Sequence, residues 1–454
     1  MSEPSQGFLE QLKEAVTNAP EGDGAAAAKA QMQLIGKWIA VNPVAFFNEL
    51  RENSPIFSAP AFTLVTRAKD VQDVLTLNDI FTTDLLKQNM LRFIGNTVVE
   101  LPPSPEYEQR KSILRLAFPM EDLGRYRSIL LEESAALLKG VQPNSPFDVV
   151  AYAKTLPAKA ISRYLGLGEL PVDQVVQWMH SINEGAVRNL ANIVQVNEAA
   201  ATASAEVKSQ IREILKRTRA RLSGSDATPE PTFWERLFGF AKLQPVPEPP
   251  AQPMVLERYL MMQAVKATYT ADEDIVSSLL FIMSACVDLT ATAITNVVVE
   301  LMQRPEVMEG AIAAAQKDTD DEIAGYVWEA LRFRQPSPGV INTCIQDYTL
   351  GRGTEFESTL KAGTLVLACS VSAMHDPSVI EAPTEFRLGR PWHLAYTFFE
   401  AGLHTCHGKY FSMTQVPFAV KQLLRVGRPE AVEPMPVSQG YPNHPFSIQF
   451  TPHS

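Results

Sequence analysis

The residues best suited to chemistry lie late in the chain, in the run Phe399-Glu400-Ala401-Gly402-Leu403-His404-Thr405-Cys406-His407-Gly408. Cys406 stands between two glycines, directly ahead of a helix-compatible segment at 408–426. A thiolate stays ionised when helix N-terminal amides or a metal stabilise it. Gly402 and Gly408 let backbone approach the sulfur and leave room for a flat group against the helix. A single cysteine cannot hold zinc or an iron–sulfur cluster by itself. A single thiolate does suffice as the axial ligand of a haem iron. The plainer alternative is a buried cysteine that fills space at a helix start.

Three further groups stand out. Asp288 interrupts the apolar run 272–304, in Ser284-Ala285-Cys286-Val287-Asp288-Leu289-Thr290. A helix apolar all round is buried, and a carboxylate inside it is costly unless it is paired or put to use. Glu329 and Arg332 are three apart in a helical run at 323–335, so they share a face. Tyr107 and Lys111 are four apart in a helix that Pro105 can start. They either serve a ligand or form a solvated polar face.

Together these residues resemble the motifs of the cytochrome P-450 family. Its cysteine loop reads Phe-Gly-x-Gly-x-Arg/His-x-Cys-x-Gly. Phe399, Gly402, His404, Cys406 and Gly408 fall on that pattern, and Glu400 replaces the first glycine. The family's helix over the oxygen site carries Ala-Gly-x-Asp/Glu-Thr-Thr. Ala285 and Asp288 match, Leu289 replaces the first threonine, and Thr290 matches the second. Glu329-x-x-Arg332 followed by Pro336 and Pro338, with Arg390 in a meander at 381–391, resembles a structural network behind the haem.

The resemblance implies haem b (iron protoporphyrin IX) as cofactor and Cys406 as the metal ligand. It implies Phe399 as a shield for the sulfur, Gly402 and Gly408 as the loop's glycines, and His404, Tyr107 and Lys111 as partners of the haem propionates. Asn342 stands where a propionate-binding arginine is common. Asp288 and Thr290 become the catalytic pair; Glu329, Arg332 and Arg390 become scaffold. Met90, Leu91 and Phe93, in the apolar segment 80–101, would line a substrate pocket with Phe281, Ala285, Leu289 and Val340. The other reading of that segment is an irregular piece of core.

The elements that must position these groups follow from the pattern of the chain. By the resemblance, the expected fold is mainly α with a small β-rich subdomain: the cytochrome P-450 fold, one large domain with a long central helix over the haem. Residues 1–40 read as an N-terminal helical extension and 41–454 as the haem-thiolate catalytic domain. Residues 122–222 read as amphipathic helix broken near 140–146, 166–171 and Gly185. Short strands are expected at 55–57, 62–66, 343–346 and 364–369. A proline-rich insertion at about 223–253, with an aromatic run at 233–240, reads as a linker.

Of the 454 residues, 46% are hydrophobic and 20% charged, which suits a large buried core. A net charge of −11 argues against a nucleic-acid partner. No apolar run is read as long enough for a membrane span, and the N-terminus lacks the layout of a secretion signal. A soluble, cytoplasmic protein without a transmembrane anchor is therefore expected. Cys286, Cys344, Cys369 and Cys406 lie far apart and fit no zinc spacing. No Gly-x-Gly-x-x-Gly follows a strand, so electrons are expected from a separate, ferredoxin-type donor. A basic patch of Arg110, Lys111, Arg115 and Lys409 would receive that acidic partner.

The leading expectation is a haem-thiolate monooxygenase that inserts one atom of O2 into an apolar, lipid-like or terpenoid-like small molecule. Leu289 has no proton to deliver. That keeps open a peroxide-using peroxygenase or fatty-acid hydroperoxide isomerase. A non-catalytic haem-binding sensor on the same fold is the third reading.

Overall fold

The computed structural model describes residues 7–18, 24–99, 101–189, 192–223, 252–266, 270–399 and 401–452. The aromatic run at 233–240, nearly all of the proline-rich stretch, and Glu400 lie outside the described residues.

One helix orders the rest. Residues Asp272–Met302 form a single helix of 31 residues, about 46 Å long at 1.5 Å per residue. Asp272, Glu273 and Asp274 occupy its first turn, where unpaired N–H groups and the helix dipole favour negative charge. Arg219, Arg212 and Arg110 hold these three acids at 2.5, 2.7 and 3.1 Å. The sequence reading found no run of membrane length. This helix is in fact long and apolar enough by length and composition, but 78% of its most apolar window is buried inside the protein. Its apolar surface is covered by the chain's own helices.

Those helices come from both sides in sequence. The chain opens with α1 (Phe8–Thr17), α2 (Gly24–Val41) and α3 (Pro43–Asn53). Then follow α4 (Ala68–Thr76), α5 (Asp84–Phe93), α6 (Pro105–Ala117) and α7 (Leu123–Leu138). Next are α8 (Val149–Leu165), α9 (Val172–Asn183) and α10 (Val194–Leu222). The central helix packs most heavily on α8, and also on α9, α10, the Glu329 helix (Asp321–Phe333) and the C-terminal helix (Lys409–Val426). Local chemistry sets the ends. Ser104 accepts the Tyr107 N–H ahead of Pro105 in α6. Asp148 accepts the N–H groups of Val150 and Ala151 at the start of α8, and Gly166 ends it at φ +86°.

Two expectations change in register. Segment 80–101 has no clear apolar period, yet ten of its residues form α5. Gly185 does not break the chain: α9 runs on through a π-helical turn, Glu184–Arg188, and the break comes after it. A Cβ on Gly185 would meet Ala200 at 2.4 Å and Phe93 at 3.2 Å. Glycine there is for close packing.

The strands are β1 (Ile56–Ser58), β2 (Thr63–Val65), β3 (Phe81–Thr82), β4 (Phe147–Asp148) and β5 (Val340–Cys344). β6 (Tyr348–Leu350), β7 (Ser358–Leu360), β8 (Leu365–Ala368), β9 (Arg428–Ala431) and β10 (Ser447–Thr451) complete them. The largest sheet runs β1-β2-β8-β5-β3. Its β2–β8 pair is parallel, with Thr63 opposite Val366; its other pairs are antiparallel. One side of this sheet shares a core with α1–α3, through Leu64, Leu367, Phe46 and Trp38.

A buried histidine ties the sheet to the helical core. His375, 1% exposed, lies in the turn His375-Asp376-Pro377. Its Nδ1 is 2.9 Å from the Val371 carbonyl, and its other ring nitrogen has no hydrogen-bond partner. Burial first, then the nearby Arg332, pushes its pKa down to about 3. The ring's ordinary value is 6.5, so between these values the unfolded chain holds a proton that the native protein refuses. Stability therefore rises with pH through this window and is lost as pH falls below 6.5. At pH 5 the expected loss is about 2 kcal/mol relative to neutral pH. Urea unfolding of His375→Phe should show that this part of the acid sensitivity is gone; an unchanged pH slope would contradict the assignment.

Candidate active site

Cys406 is held by its own backbone. Its N–H donates to the Phe399 carbonyl at 2.9 Å, and its carbonyl accepts from Lys409 at 3.3 Å as the C-terminal helix begins. A single 3-10 turn, Gly402–His404, precedes it. Gly402 sits at φ +74°, and a Cβ there would meet the Leu75 carbonyl oxygen at 2.8 Å. Only glycine lets the loop lie this close to α4. Phe399 packs edge-on against Trp328 and stacks with Trp392, and the Lys409 ammonium lies over both Phe399 and Trp392. The loop's start is thus pinned by aromatic contacts.

The positive groups around the loop are arranged differently from expectation. Tyr107 donates its hydroxyl to the Leu403 carbonyl at 2.6 Å, and Lys111 donates to that same hydroxyl at 2.7 Å. Tyr107 therefore braces the cysteine loop and does not offer its hydrogen to a ligand. Lys111 and Arg115 have no carboxylate within ion-pair distance among the described residues. His404 is held below its ordinary pKa by burial and by Lys111. His407 is pushed down to about 4 by burial, Lys111 and Arg115. Arg110, expected in the same patch, is spent on Glu106 and Asp274. Asn342 is buried and turned onto the Val340 carbonyl.

Opposite this loop the central helix leaves one face open. Asp274, Ser278, Phe281, Ala285 and Leu289 are not buried, while most of their neighbours are. Their spacing of three to four residues makes one stripe. A cavity of about 250 Å³ opens on its first part, at Asp274, Ser278 and Phe281, against Ile113 and Leu114 of α6. A larger cavity of about 520 Å³ opens at Leu289. Cys286 is buried next to this stripe. Its thiol is pushed up to about 12 by burial and by the negative charge of Cys406. Its carbonyl accepts from Gln415 of the C-terminal helix at 3.3 Å. Cys286 was not singled out from sequence, although it stands at the glycine of the Ala-Gly-x-Asp pattern.

These features fit haem. Among the described residues no three His, Cys, Asp or Glu side chains could hold a bare metal ion together. An iron bound through one sulfur must bring its other ligands with it, as a porphyrin does. The open stripe provides a slot for a flat group, and Lys111 and Arg115 provide positive charge for its carboxylates.

Behind the loop, Glu329 and Arg332 are both fully buried and bonded by 2.7 and 3.1 Å contacts. Arg390 Nε and the Arg387 N–H each reach Glu329 at 3.0 Å, and the Tyr396 hydroxyl at 3.1 Å. Arg332 and Arg390 spend their remaining donors on the carbonyls of Met374, Glu381, Ala382, Pro383 and Glu385. Burial pulls the Glu329 pKa up, but Arg332, the Arg387 N–H and Arg390 outweigh it, and the net shift is downward.

The comparisons with known proteins agree with this geometry. The family model for cytochrome P-450 matches residues 241–433. Pulcherriminic acid synthase of Bacillus subtilis (strain 168) is 22% identical over 401 residues, covering 84% of this chain and 87% of its own. The solved structure of CalO2 matches with a TM-score of 0.72 at 19% identity, covering 90% of this chain and 96% of its own. P450BioI, solved with an acyl carrier protein ligated to hexadec-9Z-enoic acid, matches with a TM-score of 0.71 at 17% identity, covering 90% of this chain and 98% of its own.

The chain has the cytochrome P-450 fold. Proteins of the cytochrome P-450 family are monooxygenases that bind haem b through a cysteine thiolate.

In this chain the acid of the central helix is paired. Asp288, 1% exposed, accepts from Arg188 at 2.5 Å through Oδ2. Arg188 also holds Glu184 at 3.0 Å. Burial opposes the Arg188 charge, but Asp288 and Glu184 raise its pKa overall. The π-helical turn Glu184–Arg188 inserts the extra backbone that brings Arg188 back over Asp288. Thr290, expected as its catalytic companion, is buried and lines neither cavity. One residue is about 100° on a helix, so Leu289 faces the cavity and Thr290 is turned away from it.

The same rotation corrects the pocket. α5 offers Leu85, Leu86 and Asn89 to the larger cavity. Met90 and Phe93 belong to the core instead, Phe93 against Gly185, and Leu91 is exposed. Leu289 and Val340 do line the larger cavity, while Phe281 lines the smaller one. Ala285 lies on the stripe between them. Gly36, Ile39 and Ala40 of α2 also form wall, a contribution that no local motif marks.

Glu329→Gln keeps the shape of the network but leaves two buried guanidinium groups facing a neutral amide. It should cost about 3 kcal/mol, read as a lowered urea midpoint. An unchanged midpoint would remove Glu329 from the scaffold.

Proposed function

We propose that this monooxygenase oxidises an apolar, lipid-like or terpenoid-like molecule at a C–H or C=C bond, with electrons from a ferredoxin-type protein. The observation that carries the substrate class is the 520 Å³ cavity, walled by Leu85, Leu86, Val187, Leu289, Val340 and Ile341. A cavity of this kind binds by burying apolar surface, while a few polar groups set orientation. Asn89 and Arg188 are such groups here. The acyl chain bound in the P450BioI complex supports a long apolar substrate as one form of this class.

Haem bound through Cys406 supplies the redox chemistry of O2. Lys111 and His404 would hold its carboxylates, and Phe399 would shield the sulfur. Leu289 excludes water beside the substrate but offers no hydrogen. Asp288 is the nearest acid on the central helix and would pass on the proton that the reaction consumes. Lys409, Arg115 and Lys111 give the thiolate side of the molecule a positive surface, and Leu116, Met120 and Tyr410 are exposed there. That combination suits an acidic electron donor.

A second reading rests on Leu289. An enzyme supplied with peroxide or a fatty-acid hydroperoxide receives its oxygen already reduced, and has less need of a hydroxyl at this position.

Cys406→Ala should abolish the absorption band that the reduced, carbon-monoxide-bound form shows when a thiolate is the ligand. If the band survives, another residue binds the iron. Leu289→Thr should raise product formed per NAD(P)H by about threefold if O2 is the oxidant. No gain, together with fast turnover on peroxide alone, would instead establish the second reading.

A further inference from the structure

Asp288 keeps one oxygen in an unresolved contact. Its Oδ1 and the Nδ1 of His180 are both buried, and neither has a hydrogen-bond partner. They lie 3.4 Å apart. Two lone pairs do not rest against each other in a buried place unless a proton lies between them. The other carboxylate oxygen is already taken by Arg188. The His180 side chain is 29% exposed although Nδ1 is covered, so the ring spans from solvent to the buried acid. Tyr441 stacks on it at 3.9 Å and 11°, which fixes its plane.

We propose that His180 passes protons from solvent to Asp288. The N–H bond at Nδ1 breaks as an O–H bond forms at Oδ1. A solvent proton joins Nε2 in the same exchange, so the ring stays neutral and the pair gains one proton. His180 acts through Asp288 and does not touch the reacting atoms. The inference rests on reading Asp288 as the proton-holding acid beside Leu289.

The charges facing the pair set its balance. Arg188, from the π-helical turn, holds the other oxygen of Asp288, and Lys154, from α8, faces the pair. Lys154 lies over the Tyr441 ring at 4.6 Å. Burial holds Lys154 below its ordinary pKa, which lessens its opposition to a charged neighbour. Glu184 is paired with Arg188 beside them. The Tyr441 hydroxyl stays neutral, because burial and Asp288 raise its pKa.

Two measurements test the relay. In carbon-monoxide-bound ferrous holoenzyme labelled with 15N-histidine, Asp288→Asn should shift the resonance of His180 Nδ1, which loses its carboxylate partner. No shift would overturn the contact. His180→Gln retains an amide that can still donate to Oδ1, so a purely structural ring would be replaced without loss. For a relay, product per NAD(P)H should fall by about threefold or more, and the solvent deuterium isotope effect on turnover should grow. His180→Lys, which can titrate, should recover part of that loss. Wild-type coupling and isotope effect in His180→Gln would overturn the proposal. Loss of the thiolate band in wild-type protein would instead strike at Cys406. The His180 Nδ1 resonance could then be read in haem-free protein, so the two failures are distinct.

Discussion

A helix that is apolar on every side has to be walled in on every side, and this requirement organises the protein around Asp272–Met302. α8, α9, α10 and the C-terminal helix cover it, and the acids of its first turn are held by three arginines from elsewhere. Only the stripe through Phe281, Ala285 and Leu289 is left bare. Because the rest of the surface is used up in packing, cofactor and substrate have one face on which to lie. The location of the chemistry is thus a by-product of how the core is closed.

The cysteine loop must be presented to that bare face without sagging into it. Two supports accomplish this at different depths. Tyr107 grips the Leu403 carbonyl from α6, next to the sulfur. Deeper down, Glu329 gathers Arg332, Arg390 and Tyr396 into a buried cluster whose remaining donors end on meander carbonyls. A buried charge cluster adds little net stability over a well-packed apolar core. What it adds is direction: guanidinium forks fix carbonyl positions in a segment that has no regular secondary structure of its own.

Much of this was readable from the residues, and the division follows the range of the interaction. The cysteine loop, the Glu329 pair and the helix starting at Pro105 are local patterns, and each stands where its spacing put it. The partners of Asp288 and Tyr107 were not readable. Arg188 lies 100 positions away and reaches its acid only through a π-helical turn; the Leu403 carbonyl lies 296 positions from Tyr107. Thr290, Met90 and Phe93 show a different limit. Residue type marked them as suitable, but a rotation of about 100° per residue decided which neighbour faced the cavity. The core role of the central helix likewise had to be seen, since its composition is that of a membrane span.

The N-terminal helices form part of the wall of the larger cavity. α2 gives it Gly36, Ile39 and Ala40, and α2 rests on α1 and α3. α1 is tethered at its first turn by Glu49, which accepts the N–H groups of Phe8 and Leu9 at 2.9 and 2.8 Å. Two such hydrogen bonds are worth only a few kcal/mol, roughly 1.5–3 each. Most of what holds this wall is apolar instead: Phe8 packs edge-on against Trp38 and Phe46, and Leu12 and Ile35 are buried beside them, so a guest in the cavity leans on a second core, separate from the one around the central helix.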